Sequence, residues 1–221
     1  MSYDFTEKSV KEFIAELSGG APVPGGGGAS ALVGAVGAAL GGMVASVTLA
    51  NKRYADVKEE MSALKSEAEA IQGELLRLID KDAEVFAPLA KAYGMPADTD
   101  EERAAKEKAM ETSLIEAARV PLEMMRKIAE AEALMDRLAD KGSRLMVSDA
   151  ACGAIICQAG IRAAWLNVRV NTKLIKDEEI AAGFNKEGES IVKESIAHAE
   201  EIYSRVSERF EDSRVNRRLS P

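Results

Sequence analysis

Along most of this chain apolar residues recur at intervals of three and four, with polar residues between them. That is the period of an amphipathic α-helix. The apolar/polar alternation of a half-buried strand is missing between the turn signals. The spacing predicts a helix over Thr6 to Ser18, with Thr6 and Ser9 as capping candidates. A second is predicted from about Gly27 to Asn51. A third, long helix covers Asp56 to Tyr93 and is stopped by Gly94-Met95-Pro96. Thr99-Asp100-Glu101-Glu102 starts a fourth, which runs to about Lys141-Gly142 with an expected kink at Pro121. Ser148 to Ile175 and Asp177 to about Asp212 complete the set. The expected fold class is all-α: one domain over residues 1–221, a bundle of about six helices around a buried Gly/Ala-rich one.

That central helix departs from the common pattern. No charge occurs for 35 residues from Leu17 to Asn51, long enough to raise the question of a membrane span. Gly and Ala dominate, large apolar residues are few, and Pro22 and Pro24 break its start. Ser30, Gly34, Gly37, Gly41 and Ala45 put small residues on one helical face, so another backbone can approach closely. The reading is a helix surrounded by other helices, with no membrane partner.

Pro22-Val23-Pro24-Gly25-Gly26-Gly27-Gly28-Ala29-Ser30 leads into it. Four consecutive glycines cost backbone entropy and suit a sharp turn or a close approach. At a helix N-terminus they present unpaired N–H groups and the positive end of the dipole, which suits a carboxylate or a polar ring edge. A tight turn packing two helices together is the alternative. A P-loop is excluded, because no Lys lies between Glu16 and Lys52. Gly26, Gly28 and Ala31 fit a dinucleotide fingerprint, but a helix, Val10 to Leu17, precedes them where a strand is needed.

The net charge of −8 argues against nucleic acid as a partner. Arg214 to Arg218 is locally basic but short, and reads as a solvated tail. Cys152 and Cys157, five apart on one helix, are too poorly placed for a disulfide and read as buried free thiols. With no signal-peptide pattern at the start, they imply a reducing, cytoplasmic setting.

Candidate chemistry is sparse. On the third helix Ile71, Leu75, Leu78, Phe86, Leu89 and Tyr93 form the apolar face, and Asp82 falls in its middle. Asp80 and Glu84 point elsewhere and read as solvated. A carboxylate on a core stripe is unfavourable unless paired or used, and desolvation raises its pKa towards acid–base duty. The alternative is an Asp paired with an Arg or capping a neighbouring helix. Ser148 and Asp149 read as a helix N-cap. Asn167 and Asn171 share one helix face, where two amides can hold a heterocycle or brace a neighbouring backbone. Lys52 and Arg53 suit the C-terminal dipole of the Gly-rich helix. His198, the only histidine, reads as solvated. One His and two buried thiols make neither a familiar zinc site nor a His-based triad, so proton chemistry is expected from a carboxylate without metal.

These segments together resemble a known family. Pro24-Gly25-Gly26-Gly27-Gly28 is followed by Gly34-Ala35-Val36-Gly37-Ala38-Ala39-Leu40, Met43-Val44 and Thr48. Then come Leu78-Ile79-Asp80-Lys81-Asp82-Ala83-Glu84-Val85-Phe86, Tyr93-Gly94-Met95-Pro96, Val120-Pro121-Leu122, Ser148-Asp149, and Asn167-Val168 with Asn171. Over about residues 5–210 the chain is similar to the cyclodeaminase/cyclohydrolase family that acts on tetrahydrofolate. The resemblance implies an all-helical homodimer or higher homo-oligomer with folate in a cleft and no further cofactor. It implies Asp82 as the acid/base, with Pro24 and Gly25 to Gly28 lining the substrate, and Ser148, Asp149, Asn167 and Asn171 as further matches. The Gly25–Gly28 amides and Asn171 are expected to hold the pterin. Lys52 or Arg53 is expected to meet the glutamate tail. Gly28 stands where many members have Ser, and the four-glycine form, like the stand-alone length, points to a methenyltetrahydrofolate cyclohydrolase. The alternatives are a formimidoyltetrahydrofolate cyclodeaminase, an ammonia lyase, or a helical folate-binding module without turnover.

Overall fold

The computed structural model describes the backbone of residues 3–218 and the side chains of residues 3–210. Arg214 to Arg218 therefore lie outside the described side chains. Six α-helices follow in order: α1 (Val10–Leu17), α2 (Gly26–Ala50), α3 (Lys58–Tyr93), α4 (Asp100–Lys141), α5 (Val147–Thr172) and α6 (Glu178–Arg218). Among the described residues there is no strand. Two short 3-10 turns, Phe5–Glu7 and Lys52–Val57, precede α1 and α3.

Local chemistry fixes the helix starts. Ser9 caps α1 and Thr99 caps α4, each in a reciprocal capping box, with Glu12 and Glu102 respectively. Asp177 caps α6 by accepting the Glu179 and Ile180 amides at 3.1 Å each. Thr6 caps nothing and belongs to the preceding turn. Ser148 and Asp149 are not an N-cap either, because α5 begins at Val147 and the residue before it caps without a side-chain bond.

α2 lies against α3, α4 and α5, and runs antiparallel to α3 and α5. Its small-residue face is the reason these helices can meet. A Cβ on Gly34 would come within 2.5 Å of Ile128 on α4, one on Gly41 within 2.7 Å of Met135. Overpacking of that kind costs about 1–3 kcal/mol per site. The core is filled mainly by α3 and α4, with Leu64, Leu75, Leu78, Leu122, Met125, Ile128, Met135 and Leu138 at 0% exposure. α2 and α5 are both long and apolar enough, by length and composition, to cross a membrane, yet each turns its small side chains into this bundle.

α4 stays helical through Pro121. Proline has no N–H, so the carbonyl four residues back loses its helical partner. That carbonyl, on Ala117, accepts the Asn171 Nδ2 amide of α5 at 2.9 Å.

Candidate active site

The N-terminus of α2 meets the middle of α3 at Asp82. Gly26, Gly27 and Gly28 form the first turn of α2, where backbone amides have no acceptor within the helix. The Gly28 amide donates to Asp82 Oδ2 at 3.1 Å. Among the described residues no Lys or Arg pairs with Asp82, and Oδ1 accepts no protein hydrogen bond. One of the two structural readings of this carboxylate, an Arg partner, is therefore absent. The other, a cap on a neighbouring helix, is met by one oxygen only.

Why the loop needs glycine is visible at Gly27. A Cβ there would lie 2.3 Å from Asp82 Oδ1 and 2.4 Å from Oδ2. No side chain fits between the helix start and the carboxylate. Pro24 is buried and packs beside Gly28, 3.7 Å from where a Cβ would stand. Burial pushes the Asp82 pKa up from the ordinary 3.8 to about 6, with the Gly28 hydrogen bond opposing the shift. An acid at that value exchanges a proton readily near neutral pH.

Asn167 completes the cluster from α5. A Cβ on Gly26 would lie 3.3 Å from both amide atoms of Asn167, whose Nδ2 donates to Ala163 O at 3.0 Å. Asp82, the glycine turn and Asn167 thus come together from three helices. Asn171 sits one turn further along α5, but both N–H groups of its amide are engaged. Nδ2 donates to Ala117 O and to Asn167 O at 2.8 Å. In this structure it braces the helix at Pro121 and does not present its N–H groups to a ligand.

Four other expected residues are elsewhere. Lys52 and Arg53 are exposed, beyond the opposite end of α2, about 38 Å from Gly27 at 1.5 Å per residue. Ser148 and Asp149 begin α5 at that same far end, about 27 Å from Asn167 along the helix. Within one chain none of the four approaches Asp82. The antiparallel run of α2 and α5 separates them. Asp80 is only partly solvated: it accepts the Phe5 amide at 2.9 Å and ties the N-terminal turn to α3. Glu84 does face water, 3.6 Å from Lys81.

A second carboxylate, absent from the residues the sequence singles out, lies deeper than Asp82. Glu132 on α4 is 1% exposed and accepts the Ser195 hydroxyl of α6. Its Oε1 has no hydrogen-bond partner and lies 3.4 Å from His198 Nδ1. Burial raises its pKa from 4.5 to about 7. His198 is thus not simply solvated. The Cys157 thiol is buried and pushed up in pKa by that burial and by Glu132 nearby, whereas Cys152 is exposed, against expectation. Among the described residues no three His, Cys, Asp or Glu side chains converge as a metal site.

The fold and this site define a helical domain with one unpaired carboxylate under a glycine-rich helix start. The chain belongs to the formiminotransferase-cyclodeaminase family, whose pattern it matches over residues 9–190. It is 37% identical over 199 residues to a methenyltetrahydrofolate cyclohydrolase of Methylorubrum extorquens, covering 90% of this chain and 96% of that one. It is 30% identical over 172 residues to the formimidoyltransferase-cyclodeaminase of Mus musculus, covering 78% of this chain but 32% of that longer protein. A crystal structure of formiminotetrahydrofolate cyclodeaminase from Thermotoga maritima superposes with a TM-score of 0.77 at 32% identity, over 95% of this chain and 98% of that one.

Proposed function

We propose that this protein is a methenyltetrahydrofolate cyclohydrolase, opening the ring of 5,10-methenyltetrahydrofolate with water to give 10-formyltetrahydrofolate. The observation that carries the reading is Asp82: partly buried, without a cation, raised to about 6, and set against free helix N-terminal amides. The similarity to the Methylorubrum cyclohydrolase over nearly both full lengths supports the choice of reaction.

The chemistry needs one group that accepts and then returns a proton. Water adds to the amidinium carbon between N5 and N10, and ionised Asp82 takes a proton from it. The tetrahedral carbinol collapses by breaking its bond to N5. Asp82 returns the proton to N5, and the hydroxyl proton leaves to solvent as the formyl group forms on N10. In this reading the Gly26 and Gly27 amides and the Asn167 Oδ1 hold the polar edge of the pterin, which the open helix start and the engagement of Nδ2 alone support.

The match to the Thermotoga cyclodeaminase supports a second reading, in which N10 closes on a formimino carbon and ammonia leaves from the same site. Near-ultraviolet absorbance of the methenyl chromophore separates the two. Loss of the band from methenyltetrahydrofolate, faster than spontaneous hydrolysis, identifies the cyclohydrolase. Appearance of the band and ammonia from formiminotetrahydrofolate identifies the cyclodeaminase. Binding of methenyltetrahydrofolate without consumption identifies a folate-binding module.

The same reading includes a homodimer. Val33, Val36, Met43 and Val47 form an exposed apolar stripe on α2, and Ile155, Leu166 and Val170 are exposed on neighbouring α5. A second copy laid on this face would cover it without any membrane or nucleic acid. No cofactor or metal beyond the folate is invoked, and the free thiols suit a cytoplasmic setting.

A further inference from the structure

Away from Asp82, a second acid is enclosed by the bundle, and no Lys or Arg among the described residues pairs with it. α6 packs on α4 and α5 through residues at helical spacing, Ser195, Ala199, Ile202 and Val206, none more than 4% exposed. Ser195 is the polar member of that stripe, and its hydroxyl donates to Glu132 Oε2 on α4. The other oxygen, Oε1, is buried and accepts no hydrogen bond. It lies 3.4 Å from Nδ1 of His198, one turn further along α6. The His198 side chain is 34% exposed, so the ring meets Glu132 on one side and water on the other.

The charges around this pair are balanced without it. On α6, Glu187 pairs with Arg126 and Arg205 with Asp136, and Arg209 donates to the Ala139 carbonyl at 2.8 Å. On α5, the Cys157 thiol is close to Glu132, and burial keeps it neutral. α2 carries no charged residue, and it meets this level with Gly37 against Cys157 and Gly41 against Met135. Towards α3, Arg137 of α4 pairs with Glu60 and Glu67, about 140° around the helix from Glu132. His198 is therefore the titratable group placed to settle the charge of Glu132.

One proton shared by the two keeps them neutral together, as carboxylic acid beside imidazole or as carboxylate beside imidazolium. Without that proton a carboxylate is left at 1% exposure with no cation, which the protein interior disfavours strongly. Lifting α6 off α4 rehydrates it. We propose that Glu132 and His198 form a one-proton latch that holds α6 from Ser195 to Val206 on the bundle, and that loss of the proton lets this segment open while α2 to α5 stay folded. The apolar hold on the segment is small, supplied by Ala199, Ile202 and Val206, as expected of a part that opens locally. The latch stands apart from the folate reading of Asp82 and does not depend on it.

The test is amide hydrogen exchange of the whole chain at pH 6 and pH 8.5, corrected for intrinsic exchange rates, with and without low urea. An opening that exposes Glu132 is linked to its ionisation. With its pKa raised from 4.5 to about 7, the opening equilibrium is expected to grow about 10-fold between the two pH values. Amides from Ser195 to Val206 should lose protection by that factor, through an opening that low urea leaves almost unchanged. Amides around Leu75 and Leu78 of α3 should be at least about 10-fold better protected and should respond to urea, as global unfolding does. Glu132→Gln can accept from Ser195 and carries no charge, so at pH 8.5 it is expected to keep the α6 protection seen at pH 6. His198→Lys sets beside Glu132 a cation that stays charged over this range, and it is expected to do the same. It decides the matter if Glu132→Gln folds poorly. Equal protection and equal urea response of α6 and α3 overturn the latch. So does α6 protection that is constant with pH, or a pH dependence that persists in a folded variant.

Discussion

Asp82 and Glu132 are two carboxylates in similar trouble and different surroundings. Both lie on core-facing helical stripes, both lack an Arg or Lys partner, and burial raises both pKa values, to about 6 and about 7. Asp82 is partly exposed and faces the amides of a helix start. Glu132 is sealed between α4 and α6, with Ser195 donating to one oxygen and His198 beside the other. A raised pKa alone therefore does not mark a catalytic acid. Access and the neighbouring donors separate the group that can act on a ligand from the one that ties two helices together.

The sharpest way to break this comparison is Asp82→Asn. The amide oxygen can still accept from Gly28, so the fold is retained, while proton transfer is lost. Turnover of methenyltetrahydrofolate is expected to fall by roughly 10²–10⁴-fold. In the unaltered enzyme kcat/KM should rise with pH through about 6, as Asp82 ionises, and that limb should vanish in the variant. Stability moves the other way. A raised carboxylate pKa means the folded state favours the protonated form, so stability is lost as pH rises from about 4 through about 6. At pH 8 the neutral Asn variant should melt about 2–4 °C higher for each kcal/mol relieved. Turnover within a few-fold of the unaltered enzyme would remove Asp82 from the reaction.

Gly27→Ala tests the geometry without touching the carboxylate. Its Cβ must push the Asp82 side chain aside, and a shift of about 1 Å is expected to reduce kcat by about 10²-fold. Alanine also favours helix by about 1 kcal/mol, so the melting temperature should not collapse with the activity. Loss of fold in place of activity would show that the glycine serves packing alone.

Glu132→Gln is the mirror experiment. Gln can accept from Ser195 and donate to His198, leaving activity within about threefold. Ionising Glu132 opposes folding as pH rises from about 4.5 through about 7, by on the order of 3 kcal/mol at most. The variant should be the more stable at pH 8, with a flatter dependence between pH 5 and 7 in urea titrations. A large loss of kcat with intact stability would erase the distinction between the two carboxylates.

The smallest effect is expected at Asn171. Asn171→Ala orphans the Ala117 carbonyl and should destabilise by about 1–3 kcal/mol. Pro121→Ala supplies the helix's own N–H to that carbonyl. In a double-mutant cycle it should suppress most of the Asn171 loss. Independent effects would mean that the two residues do not share that carbonyl.

Much of this was legible along the chain. Six helices follow from the three-and-four spacing, and Thr99 with Glu102 announces its capping box. Asp82 stands out because a helical face can be computed from one segment. The same argument applies to Glu132, flanked by Ile128 and Met135 on the α4 stripe, and would have found it. Ser148 and Asp149 were misread because a cap is defined by which residue leaves helical geometry, and α5 starts one residue earlier. Lys52 and Arg53 lie beyond the C-terminal end of the 25-residue helix whose start meets Asp82, and a helical period does not say which end of a helix faces a ligand.

The amino-acid order by itself determined the helices, the small-residue face of α2 and the place of Asp82 on a core-facing stripe. These depend on a 3.6-residue period acting within one segment. Only the tertiary structure decided that Gly27 closes over Asp82 and that the Asn171 amide is engaged by the carbonyl Pro121 leaves free. Those contacts join residues 45 or more positions apart. They are fixed by helix order, direction and offset, which side-chain periodicity does not encode.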